Sequence, residues 1–189
     1  MQLLFIIDPP DELKAYKDTS VAMMRAAQAR GHSILLCTQT SIAWSGAGVA
    51  ADVMRATLTD GDEDWYRPHD SARRRLAEFD AVLMRKDPPF DLEYVTSTWL
   101  LSAAEREGAR VFNAPDAIRD HNEKLAIAEF PDYVVPTLVT REVGTPAPSS
   151  FPADAGPGAA AEPPPQPTSA SPAAITIVRI AFMTGFLPP

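Results

Sequence analysis

A doubly wound, mainly parallel α/β sheet with an Ala/Pro-rich tail is the fold class this sequence predicts, and three observations carry it. Leu3 to Ile7 and Ser33 to Thr38 are short, continuous apolar runs of the kind found in strands buried on both faces. Between them lies a helix-period segment, so residues 3 to 38 have the length of one βαβ crossover. After them, strand-like and helix-like segments continue to alternate across short joints.

The elements follow in order. The first strand exits at Asp8-Pro9-Pro10, a turn that ends any regular pairing. Asp18 or Thr19 can cap a helix in which Val21, Met24 and Ala27 recur on one stripe, with Ala22 and Ala26 filling it, until Gly31 stops it. The second strand is Ser33 to Thr38. Periodicity fades from Gln39 to Arg67, where Gly46, Gly48, Asp60 and Gly61 mark turns, so a long excursion holding one β-hairpin is expected. Ser71 to Phe79 reads as a short helix with a solvated Arg73-Arg74-Arg75 face. Ala81 to Met84 is the third strand. Asp91 caps a helix whose predicted core stripe is Leu92, Val95, Trp99 and Ala103, ended by Gly108. A fourth strand, Ala109 to Asn113, precedes a helix opened by Pro115, where a missing N–H costs nothing, and running to about Phe130.

Beyond Arg141 the composition changes. Residues 142 to 174 hold nine alanines, nine prolines and three charged side chains, which cannot form a core, so a disordered tail is expected over 142–189. Ile175 to Met183 is apolar but broken by Arg179 and too short to span a bilayer; it can pair as an edge strand or aggregate.

Composition bounds the function. The 189 residues are 46% hydrophobic and 22% charged, enough for one globular domain and an appendage. A net charge of -8, from 25 acids and 17 bases, argues against nucleic-acid or anionic-membrane partners, though a small anion can be held where bases gather. The one cysteine, Cys37, excludes an internal disulfide, and its apolar run makes it a buried, inert thiol. The N-terminus reads as a strand and carries no basic leader, so a cytoplasmic protein is expected. His32, His69 and His121 are too dispersed for a zinc site. Gly46-Ala47-Gly48 lacks the context of a dinucleotide loop, and no Gly-x-Ser-x-Gly elbow is present.

The chemistry concentrates at Arg85-Lys86-Asp87-Pro88-Pro89-Phe90-Asp91, directly after the third strand. In open α/β sheets, ligands bind beyond the carboxyl ends of the strands. A guanidinium there can grip a carboxylate with two parallel hydrogen bonds while Asp87 receives an amine; equally, Arg85 and Asp87 can pair with each other in solvent. Lys17-Asp18-Thr19-Ser20 opens the first helix, where orphan amides and the dipole favour an anion, or where Asp18 serves as an N-cap. Lys124, in Asn122-Glu123-Lys124, is by itself a solubility residue.

The string Met84 to Asp91 resembles the signature after the third strand of the N-terminal domain in prokaryotic glutathione synthetases, members of the ATP-grasp ligase superfamily. The Lys17 to Ser20 string is similar to that family's Lys-Asp-Ser-Ser, with Thr19 for a serine, and Asn113 to Leu125 supplies a third match. The resemblance implies a Rossmann-like pre-ATP-grasp domain over 1–122, the start of the ATP-grasp central domain over 123–141, and a disordered or out-of-frame tail over 142–189. It implies a ligase that joins γ-glutamylcysteine to glycine with ATP and magnesium, in a possible homo-oligomer. Lys17, Asp18, Ser20, Arg85, Lys86 and Asp87 would bind substrate and Lys124 an ATP phosphate. No catalytic or metal-ligating residue is assigned, because the family's Ile-Leu-Lys-Pro-Leu strand, Gly-rich loop and C-terminal acids do not appear here.

The expectation is therefore a truncated or frameshifted family member, inactive in the chain alone, with ATP and magnesium belonging to the full-length enzyme. The alternative is a non-catalytic α/β module binding a small amino-acid-like anion or a partner subunit; another ATP-grasp ligase sharing the fold is less consistent with the intact Arg85 to Asp91 string. Loss of partner lobes would leave apolar residues near Phe130, Tyr133 and Val135 open. Limited proteolysis should cut first between Arg141 and Ile175, and equally rapid cleavage within residues 81 to 113 would move the domain boundary.

Overall fold

A computed structural model describes residues 1–121, 125–134, 137–140 and 176–179, and it divides into two compact units, Met1–His121 and Asn122–Pro189. The first unit is built on a seven-stranded sheet. Its centre is parallel: β1 (Gln2–Ile7) lies between β2 (Ser33–Thr38) and β6 (Ala81–Met84), and β6 in turn pairs with β7 (Val111–Phe112). Leu4, Phe5, Ile6 and Ile7 are all buried, as a strand covered on both faces requires. Alternate residues feed two cores. Phe5 and Ile7 join Val21 and Met24 of α1 (Thr19–Ala29), whereas Leu4 and Ile6 join Leu101 and Ala104 of α2 (Leu92–Arg106). Helices thus cover opposite faces of the sheet, which is the predicted doubly wound arrangement.

Both helix starts match the sequence. Asp18 caps α1, its Oδ1 accepting the Ser20 and Val21 N–H groups at 2.7 and 3.0 Å, and Gly31 follows the helix at φ 81°. Asp91 caps α2 through the Tyr94 N–H at 2.9 Å, and Gly108 follows at φ 98°. Cys37 is buried, and burial pushes its thiol up to about 12.

The excursion after β2 is more ordered than the sequence suggests. β3 (Ala43–Ser45), β4 (Gly48–Leu58) and β5 (Tyr66–Arg75) form two antiparallel hairpins, and β4 joins them to β2. The Gly46-Ala47 turn leads into Gly48 at φ 106°, where an added Cβ would lie 2.5 Å from Glu107 Oε2, the acceptor of the Val49 N–H.

Several expectations are corrected. The helix predicted over Ser71 to Phe79 is the end of strand β5 and a 3-10 turn at Leu76–Glu78. β5 is exposed on both faces, so no apolar alternation betrays it; its arginines instead meet acids, Arg73 with Asp52 opposite it on β4, Arg74 with Glu78 and Arg75 with Glu107. The strand expected over Ala109 to Asn113 pairs only at Val111–Phe112. The helix opened by Pro115 is α3 (Pro115–Asp120), stopped at His121 by non-helical backbone at φ -109°, ψ 73°, with a separate 3-10 turn at Ala126–Glu129.

The core stripe of α2 is also misassigned by the sequence. Leu92 and Trp99 are 72% and 55% exposed, and the buried face is Tyr94, Ser97, Thr98, Leu101 and Ala104. Polar residues can occupy it because the Ser97 and Thr98 hydroxyls donate to the Glu93 and Val95 carbonyls at 3.0 and 2.7 Å, leaving only their carbon surface for the core.

In the second unit, 3-10 turns at Ala126–Glu129 and Pro131–Tyr133 are described, with Phe130 and Tyr133 exposed. β8 (Thr137–Thr140) and β9 (Thr176–Arg179) pair in parallel. Val135, Lys124 and most of the expected tail lie outside the described residues. No helix among the described residues is long and apolar enough to cross a membrane.

The helix-face correction makes a direct stability prediction. Leu101→Ala should cost about 2–5 kcal/mol, as large-to-small core changes do, while Trp99→Lys should shift stability by less than about 0.5 kcal/mol. Denaturant titration of both variants checks it, and the reverse ranking would return the Trp99 stripe to the core.

Candidate functional site at the carboxyl edge of the sheet

The parallel register Ile6↔Met84, extended by the Arg85 N–H donating to the Ile6 carbonyl at 2.8 Å, brings the ends of β1 and β6 level. Asp8 therefore faces the Arg85-Lys86-Asp87 turn. One carboxylate oxygen, Oδ1, lies 2.7 Å from Lys86 Nζ, and the other accepts the Asp87 N–H at 2.9 Å. Lys86 Nζ also donates to the Asp87 carbonyl at 2.5 Å. With 17% and 20% of their side chains exposed, Lys86 and Asp8 form a clasp that fixes the turn. Lys86 is thus engaged within the protein.

Arg85 turns the other way. Its Nε donates to Ser20 Oγ at 3.1 Å and its Nη2 to Thr19 Oγ1 at 2.8 Å, joining the end of β6 to the start of α1. Both acceptors are neutral hydroxyls, and no carboxylate among the described residues pairs with this guanidinium. Ser20 is 4% exposed, so the arginine is held against a fixed support. The self-paired alternative, Arg85 with Asp87, is not what forms.

Lys17, Asp18, Ser20 and Asp87 line one open cleft of about 300 Å³ beside this arginine, with Lys14 and Glu12 at the same cleft. The Ser20 and Val21 amides, which could have met an anion, are taken by Asp18. Positive charge in the cleft therefore comes from side chains. The structure thus brings together Lys17, Asp18, Ser20 and Asp87, with Arg85 bonded to Ser20. It turns Lys86 toward Asp8, and Lys124 lies outside the described residues.

Two residues of this edge were missed in the sequence. Asp8 ends an apolar run just as Arg85 does, and that same signal could have found it. Tyr94 sits in the first turn of α2, its ring centroid 5.3 Å from that of Phe90. Burial raises its hydroxyl above the usual phenol range, while the charge of Arg85 lowers it and those of Asp87 and Asp8 raise it, so its ring lies within the field of the cluster. Among the described residues no group of three His, Cys, Asp or Glu side chains could hold a metal ion.

Comparison with known proteins agrees with the signature. Residues 1–119 match the family described as prokaryotic glutathione synthetase, N-terminal domain. The chain is 57% identical over 142 residues to a Ralstonia nicotianae protein named glutathione synthetase, an overlap covering 75% of this chain and 44% of that relative. Proteins of the same name from Bordetella parapertussis, 54% identical over 149 residues (76% and 47% covered), and Nitrosomonas europaea, 51% over 145 (75% and 45%), are similar to it as well. The chain spans less than half the length of these relatives. With a signature anchored by Asp8, an arginine set against the start of α1 and a family match over most of the sheet domain, the chain belongs to the prokaryotic glutathione synthetase family.

Proposed function

We propose that this domain supplies the substrate-holding edge of a glutathione synthetase, the ATP-dependent ligase that joins γ-glutamylcysteine to glycine. The observation that carries the proposal is Arg85: a guanidinium fixed by two neutral hydroxyls keeps its charge for an incoming anion. A carboxylate of the dipeptide is the group that fits, with Lys17 adding charge from the cleft wall and Asp87 placed to receive an ammonium. Asp18 and Ser20 act as supports, by capping α1 and by holding Arg85; Lys86 supports the same turn through Asp8. This assigns the six side chains unequal tasks.

ATP and magnesium would serve such a ligase by activating a carboxylate as an acyl phosphate. The described residues do not fit that pair, since they offer no metal-capable cluster and Lys124 lies outside them. We infer that the 189 residues alone bind substrate without turning it over, because the sequence beyond Arg141 is Ala- and Pro-rich rather than rich in acids and lysines. Assembly with copies of itself and a cytoplasmic location are part of the same proposal.

Titration calorimetry with γ-glutamylcysteine should give saturable binding to the chain. Arg85→Ala should weaken it by about tenfold or more, the worth of a charge-assisted bond, and Arg85→Lys should recover only part because an ammonium cannot reproduce the two-pronged grip. Equal affinities would remove Arg85 from the site, and no binding to the unaltered chain would remove the substrate. In the same preparation, ATP, magnesium and glycine should yield no glutathione; its formation would overturn the proposed lack of turnover.

A further inference from the structure

The connections of the sheet locate a crevice at its carboxyl edge. From β1 the chain passes through α1 to β2 on one side, and from β6 through α2 to β7 on the other, with α1 and α2 on opposite faces. Neighbouring parallel strands whose connections leave in opposite directions open a crevice beyond their carboxyl ends. β1 and β6 are that pair. Arg85, supported by Thr19 and Ser20 in the first turn of α1, stands on one wall. The first turn of α2 forms the other, and it carries Tyr94.

Every part of Tyr94 is anchored except its hydroxyl. Asp91 accepts its N–H at 2.9 Å, its ring belongs to the core of Ile6 and Met84, and it is 9% exposed. Among the described residues no hydrogen bond reaches its hydroxyl. A tyrosine so deeply set normally finds a partner for its O–H. The Ser97 and Thr98 hydroxyls on the same helix face do so, at carbonyls of their own helix. Nor is the Tyr94 hydroxyl sealed from water: among the described residues, the side-chain polar atom both sealed and unpartnered is Gln39 Oε1.

The surrounding charges favour a neutral ligand group at this point. Burial keeps the hydroxyl protonated at neutral pH, and Arg85, Asp87 and Asp8 all act on it. A carboxylate arriving there would meet the repulsion of Asp87 and Asp8. A neutral carbonyl oxygen would not, and a phenol donates readily to it. In γ-glutamylcysteine the oxygen of that kind is the one on the amide.

We propose that Tyr94 is a further substrate-binding residue of this edge, its hydroxyl donating to the amide oxygen of a dipeptide whose carboxylate Arg85 holds across the crevice. The proposal rests on the reading of Arg85 as the carboxylate anchor and adds the opposite wall to it. The ligand then lies over the ends of β1 and β6, between the first turns of α1 and α2.

Titration calorimetry of the 189-residue chain tests it with γ-glutamylcysteine and with the same dipeptide carrying sulfur in place of its amide oxygen, a poorer acceptor. Tyr94→Phe, which keeps the ring, should weaken the oxygen form about three- to tenfold, the worth of one uncharged hydrogen bond. The unaltered chain should prefer oxygen to sulfur by a similar factor, and Tyr94→Phe should erase that preference. Because the hydroxyl has no bond in the fold to lose, the urea midpoint should not fall. An unchanged affinity, a preference for oxygen that survives Tyr94→Phe, or a lowered midpoint overturns the role of Tyr94. If Arg85→Ala still weakens binding in that case, the carboxylate anchor stands by itself. Absence of binding to the unaltered chain overturns both readings together.

Discussion

The parallel pairing of β1 with β6 is the constraint on which the site depends. It places two strand ends, distant in sequence, at one level of the sheet, so that the Asp8 carboxylate can answer both the Lys86 ammonium and the Asp87 amide. A slip of one residue would exchange the two faces of β6 and send Val82 and Met84 away from the α2 core. The burial of Phe5 and Ile6 on opposite faces is therefore what locks the register, and the polar edge follows from the apolar interior.

Strand alternation also explains why consecutive basic residues do different things. Leu83 packs on the α1 side of the sheet and Met84 on the α2 side. Arg85 continues the first series and reaches Thr19 and Ser20 at the start of α1; Lys86 turns to Asp8. An ion pair only partly exposed holds the turn, while the arginine remains available at a fixed place. The lysine's charge is thereby engaged inside the fold, while the guanidinium next to it in sequence meets only neutral hydroxyls.

How much of this was legible depended on the signal each element carried. Central strands and helix caps were readable because continuous apolar runs and Asp at an N-cap have local causes. β5 was not, since its stabilisation lies in cross-strand partners such as Asp52 for Arg73, which no window along the chain contains. The α2 face was misread because Ser97 and Thr98 look polar until their hydroxyls are satisfied within the helix. At the site, Arg85 and its neighbours were legible as a cluster, but their roles were not: whether a lysine meets substrate or Asp8 is decided by the packing of two strands.

The order of the strands bears on how the chain reaches this fold. β4 and β5 are sequence neighbours joined by a short loop, and β2 adds to β4 across a modest span. β6 can pair with β1 only after nearly the whole intervening domain has been brought round, at a higher cost in loop-closure entropy. Local hairpins should then assemble early in folding and the β1–β6 contact late. The carboxyl edge that carries Asp8 and Arg85 would be the last region to acquire its geometry, and a nascent chain would present its acids and bases separately until the sheet closes.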